Sequence, residues 1–191
     1  MKQHILLLAA ALCASLDAGA AALSLSGHAT YQNDKIVIDF QVAAGSTVNL
    51  WTDSWQSGLN FDPQLFLTRG GVIEQADNDG GSLINASAGY YDAGLQFTAA
   101  ADGLYRLVLD ASSNDPLGAT LADGFTYDAE APIKLADWNQ PGYDVNKNDQ
   151  KGGFWRVNFT GIEQANRVPE PASAALVMAG VLAMSLVRRR R

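Results

Sequence analysis

Apolar and polar residues alternate with a period of two over several short stretches of this chain, and Gly, Asn, Asp or Pro closes each stretch. That pattern predicts strands with one face in a core, because successive side chains of a strand point to opposite faces. The clearest case is residues 35–43, where Ile36, Ile38, Phe40 and Val42 fall on one face and Val37, Asp39 and Gln41 on the other. Ala44-Gly45-Ser46 turns the chain, and residues 47–52 continue with Val48 and Leu50 opposed to Asn49 and Trp51. A loop over 53–62 ends at Pro63, which admits a strand through Leu65, Phe66 and Leu67. Gly70-Gly71 is a hairpin signal that returns the chain antiparallel through residues 72–75. Further strands are predicted over 91–98, 104–109 and 154–162, the last alternating Trp155, Val157 and Phe159 with Arg156, Asn158 and Thr160. Residues 111–153 form a long irregular segment rich in Asp, Asn, Gly and Pro. With no long amphipathic helical stretch and no internal repeat, the expected fold is all-β: a single antiparallel β-sandwich, jelly-roll-like, over residues 23–167.

The two ends depart from this pattern. Residues 1–22 have the layout of a secretory signal peptide: Lys2 and His4 before an apolar run over 5–12, then small residues at Ala18-Gly19-Ala20 and Ala20-Ala21-Ala22. Cleavage after Ala20 and after Ala22 both satisfy the spacing. Cys13 follows Leu12, where a lipidation site wants Gly or Ala, so a lipid anchor is not expected. At the other end, Val168-Pro169-Glu170-Pro171 precedes an uncharged apolar run over 172–187 and then Arg188, Arg189, Arg190 and Arg191. The prolines end any helix or central strand upstream. As a helix the run would be roughly 24 Å long at about 1.5 Å per residue, short of a bilayer core of about 30 Å. The arginines extend its reach as a membrane stop and favour the cytoplasmic side.

This tripartite tail, residues 168–191, resembles the PEP-CTERM sorting signal of Gram-negative bacteria that make exopolysaccharide. The resemblance implies that Pro169-Glu170-Pro171 is recognised and processed by an exosortase, a membrane-embedded cysteine protease. It also implies that the transmembrane helix over 172–187 is a temporary tether. The expected route is export, an inner-membrane-tethered precursor, and a mature form at the cell surface or in the extracellular matrix.

Taking both signals away changes the composition of what folds. Lys2, the four terminal arginines, Asp17 and Glu170 leave the chain's 13 cations and 20 acids, so the remainder sits near −10 and argues against nucleic acid as a partner. Cys13 leaves as well, so no disulfide can hold the domain. The acids are mostly aspartates beside Gly or Asn, which is turn chemistry and also the way calcium loops are made.

A second resemblance covers roughly residues 35–110. Leu50-Trp51-Thr52-Asp53, Phe61-Asp62-Pro63, Asp77-Asn78-Asp79 and Asp102-Gly103-Leu104-Tyr105 occur in an order similar to jelly-roll modules related to the bacterial pre-peptidase C-terminal domain. The resemblance implies an accessory, non-catalytic module, of a kind that in some cases binds calcium or polysaccharide. Asp53, Asp62, Asp77 and Asp79 are accordingly the candidate ligands of a Ca2+ ion, with turn-forming aspartates as the competing reading. Asp144 to Asp149 echoes the start of an EF-hand loop but lacks Gly at the sixth position and Glu at the twelfth, and reads as a polar loop.

Trp55 and Trp138, in loops, are candidates for stacking on extracellular polysaccharide, whereas Trp51 and Trp155 lie in strand patterns and read as core. His28 is the one histidine left after the signal peptide, and neither a nucleophile elbow nor a phosphate loop is present. The expected function is therefore a non-enzymatic structural or adhesive surface protein, with calcium as a candidate stabiliser. The alternative is a carbohydrate-binding module; a second, an extracellular hydrolase, needs two carboxylates converging in a cleft.

Overall fold

The computed structural model describes residues 22–141 and 151–168. The signal peptide, the hexad 144–149, Pro169-Glu170-Pro171, the apolar run 172–187 and the arginine cluster lie outside these. Among the described residues no helix is long and apolar enough to cross a membrane.

Nine strands among the described residues make two antiparallel sheets: β1 (Leu23–His28), β2 (Ile36–Val42), β3 (Thr47–Thr52), β4 (Pro63–Arg69), β5 (Val72–Asp77), β6 (Gly94–Thr98), β7 (Gly103–Ala111), β8 (Phe154–Thr160) and β9 (Ala165–Val168). The first sheet has the order β1-β8-β3-β6 and the second β5-β4-β7-β2-β9. The pairs are nested: β1 with β8, β2 with β7, β3 with β6 and β4 with β5, which is one long ribbon folded over into a sandwich. That connectivity is the jelly-roll order. β9 adds a fifth strand beside β2, with Phe40 opposite Ala165 and Val37 opposite Val168.

The alternation in the sequence maps onto the layers. Ile36, Ile38, Phe40 and Val42 of β2 meet Val48, Leu50, Trp155, Val157 and Phe159 of the facing sheet in one buried core. β4 is covered on both faces: Leu65 and Leu67 enter that core, while Phe66 joins Val108 and Phe125 in a second, smaller cluster on the outer side of the five-stranded sheet. Phe125 comes from the irregular segment after β7, which crosses this outer face. Its backbone adheres to the β4–β5 hairpin through Ile73 N–H to Ala119 O (2.9 Å) and Leu121 N–H to Gly71 O (2.9 Å). Phe125, Tyr127, Leu135 and Trp138 are all buried, so its described part belongs to the folded body.

Strand directions divide the connections between two ends of the sandwich. At one end lie the short turns, 43–46, 70–71, 99–102 and 161–164; at the other lie 29–35, 53–62, 78–93 and the segment following β7. β9 runs towards the long-loop end, because Val168 lies opposite Val37 at the start of β2. Val168, assigned from the sequence to the tail motif, is thus the last residue of β9.

Candidate functional site

All four candidate calcium ligands lie at the long-loop end, but they do different work there. Asp53 is gripped by the guanidinium of Arg156, Nε to Oδ1 at 2.6 Å and the second nitrogen to Oδ2 at 2.7 Å. That carboxylate lifts the Arg156 pKa further. Asp77 Oδ2 accepts the N–H groups of Gly80 (2.6 Å) and Gly94 (2.8 Å), which fixes the exit of β5 against the entry of β6. Asp79, beside Asp77, has its pKa raised by partial burial and then by that neighbour's charge. Asp62 is buried, and its backbone makes a two-way bond with the Gln140 amide: Asp62 N–H donates to Oε1 (2.8 Å) and Nε2 donates to Asp62 O (3.0 Å). Among the described residues no three carboxylate, imidazole or thiol groups converge as a metal site would require. Both oxygens of Asp53 are engaged by a guanidinium, and Oδ2 of Asp77 by two backbone N–H groups.

The tryptophans are likewise occupied. Trp55 is 7% exposed and packs edge-on against Tyr91 with ring centroids 5.0 Å apart. Trp138 is 8% exposed and meets Tyr127 at 5.8 Å. Sugar stacking needs an open ring face, and neither indole offers one; their loops fold back over them. Trp155 is buried in the sandwich core, where the alternation put it, whereas Trp51 is buried outside that core, on the face of β3 opposite Val48 and Leu50.

Two groups that the sequence did not single out organise this end. Asp92 is buried and accepts four hydrogen bonds: Thr52 Oγ1 (2.8 Å), Ser54 N–H (2.9 Å) and Trp55 N–H (3.1 Å) on Oδ1, and Gly89 N–H (2.8 Å) on Oδ2. It fastens loop 53–62 to loop 78–93. Asp110 closes β7 in complete burial, held by Asn114 Nδ2 at 3.0 Å. Desolvation drives its pKa well up, against the opposing pull of Gln64, Lys35 and Asn114. No motif marks either residue, and three of the four donors to Asp92 come from residues 52–55, distant in sequence.

At the short-turn end there is an open cleft of 640 Å³ lined by the turns after β2, β6 and β8. Val42 and Ile162 form its apolar part, and Gln41, Ser46, Asp102, Glu163 and Gln164 its polar part. Asp102 Oδ1 accepts the Ala44 N–H at 2.6 Å, which fastens one turn to another. Asp102 and Glu163 are both exposed.

No protein-family model and no curated protein matches the chain. Among solved structures, it is similar to the crystal structure of Aeromonas hydrophila PliG, a periplasmic lysozyme inhibitor of g-type lysozyme. Identity is 14%, coverage is 74% of this chain and 87% of that chain, and the TM-score is 0.40. A likeness that distant carries no argument. What the coordinates themselves define is an all-β sandwich.

Proposed function

We propose that the chain is an exported surface or matrix protein, tethered by its tail, processed by an exosortase, with a structural or adhesive and non-catalytic role. One observation carries this reading: Pro169-Glu170-Pro171, the apolar run and four arginines follow directly on β9, with no further domain between the sandwich edge and the tail. In a host with an exosortase, the mass of the mature product should show loss of residues 1–22 or 1–20 and a new C-terminus near Pro169-Glu170-Pro171. In an otherwise identical host without the enzyme, the tail should remain. An unshortened product in both hosts refutes the processing.

A polysaccharide-binding reading is favoured by the short-turn cleft rather than by Trp55 or Trp138. Gln41, Glu163 and Gln164 bring amide and carboxylate groups to an apolar floor, which is the mixture a sugar ring needs. Titration of neutral oligosaccharides into the chain and its Gln164→Ala variant tests it. Equal binding by both, or none by either, rejects the cleft as the site.

A further inference from the structure

We infer that the long-loop end of the sandwich docks on the lipid interface while the protein is tethered, by inserting apolar loop tips. The inference rests on the reading of residues 172–187 as a membrane span. Large apolar side chains scattered singly over a surface are ordinary. Here their distribution is not even. Tyr31, Leu59, Leu83, Tyr90 and Ile133 are exposed and all belong to loops of this end, Leu83 at 88%, Tyr90 at 73% and Leu59 at 70%. Val72 and Leu104 are the exposed counterparts near the short-turn end, and Leu117 lies on the crossing segment.

The loops that carry these tips are tied into one platform. Gly152 N–H bonds Leu59 O (2.8 Å), Lys151 N–H bonds Leu135 O (3.2 Å), and Leu135 N–H bonds Thr30 O (2.9 Å). Tyr31 bridges Lys134. Asp92 joins the 53–62 loop to the 78–93 loop, and the rings Trp55, Tyr91 and Tyr90 form a chain from buried to exposed, with Tyr90 and Tyr91 4.9 Å apart. Tyr90 therefore stands on a packed base, and presenting its ring to another medium requires no reorganisation of the loop.

What fixes the occupant is the length of chain between this platform and the apolar run. β9 ends at Val168 at this same end, and three residues, 169–171, separate it from residue 172. The four steps from Val168 to residue 172 span at most about 14 Å. The lipid surface must lie within that reach, and interfacial elements bury their apolar face about 5–10 Å into the headgroup region. Tyrosine and leucine suit that depth, the tyrosine keeping its hydroxyl among headgroups. Asp34, Asp79, Glu130 and Asp137 outnumber Lys35, Lys134 and Lys151 in the same loops, so attraction to anionic lipid is not the driving force and zwitterionic lipid is the fitting surface.

The test uses the full chain in membranes of a host without exosortase, so that lipid and enzyme contacts are separated. Leu83→Cys and, at the other end, Val72→Cys are each labelled with an environment-sensitive fluorophore, and the bilayer carries nitroxide lipids. The expected result is quenching at position 83 at least about twofold that at position 72, with a blue-shifted emission, as for a group lying within the headgroup layer. Leu59→Ser combined with Tyr90→Ser should return the label at 83 towards the value at 72. Equal quenching at 83 and 72 in chain that sediments with membranes overturns the docking while leaving the tether intact. Chain absent from the membrane fraction overturns both. Shielding of position 83 only when exosortase is present assigns the surface to that enzyme and also overturns the lipid contact.

Discussion

The two ends of the sandwich are made from the same nine strands but from opposite kinds of connection. At the short-turn end each reversal takes only a few residues, and in three of the four, glycines in the left-handed region do the work: Gly45 at φ +80°, Gly70 at +60°, Gly71 at +86° and Gly161 at +81°. Backbone conformation shapes those turns, Asp102 ties one to another through the Ala44 N–H, and side chains of three of them line an open cleft. At the long-loop end the loops are too long for backbone geometry to define them. They are held instead by buried polar groups, Asp92, Asp110, Gln32 and Gln140, and by rings packed in pairs. One end spends its glycines on shape; the other spends its aspartates. The aspartates that suggested a metal are in large part the fasteners of long loops.

The comparison breaks first at Asp92. Asp92→Ala removes four accepted hydrogen bonds at once and should cost about 4 kcal/mol in urea unfolding. Faster hydrogen exchange should appear at Ser54, Trp55 and Gly89 and not at the short turns. Phe125→Ala empties the outer cluster against Phe66 and Val108 and should cost about 3 kcal/mol by the same measurement. A loss near zero would mean that the crossing segment is not part of the cooperative fold.

At the opposite end, Gly161→Ala forces a β-carbon into both a left-handed backbone and the Thr47 carbonyl, 2.1 Å away. It should cost about 2 kcal/mol or more, against about 1 kcal/mol for Gly45→Ala, where the same conformation meets open space. The difference in thermal midpoint between the two isolates the contact.

Asp110→Asn should be stabilising. The folded protein keeps the Asp110 proton to higher pH than the unfolded chain, so unfolding releases a proton once the unfolded carboxyl ionises above its ordinary value of 3.8. Stability therefore falls as pH rises through that window, and the loss is complete only above the folded group's own pKa. The variant should match the parent near pH 3, roughly where both carboxyls are protonated, and exceed it increasingly towards neutrality. The smallest effect is expected from calcium. With Asp53 and Asp77 already engaged, melting curves with calcium and with a chelator should coincide, and a raised midpoint with calcium would show that the loops can regroup around the ion.

Much of the sandwich was legible because β-strands half in a core write their period directly into the chain. Ile36 to Val42, Val48 with Leu50, Pro63 with the Gly70-Gly71 hairpin, and Trp155 to Phe159 all sit where alternation placed them. β1 and β9 were missed for the same physical reason from the other side. Edge strands such as Leu23–His28 and Ala165–Val168 bury few side chains deeply, so Leu23 and Leu25 leave only a weak imprint and Asn166-Arg167 almost none. The candidate site was less legible still. Asp92 and Asp79 look alike on the page, one buried with four donors and the other exposed, because donor geometry depends on which loops the topology brings together. Trp55 and Trp138 were read as open because they lie in loops, but Gly89 and Tyr91 for one, and Tyr127 for the other, close over them.

β1 starts at the short-turn end and β9 finishes at the long-loop end, each along the margin of its own sheet. A pull applied between Leu23 and Val168 runs parallel to both strands, so it loads the β1–β8 and β2–β9 ladders in shear. Their bonds must yield together instead of parting one at a time as in a peeled ribbon. A body anchored at one extremity and gripped near the other would by that geometry resist drag.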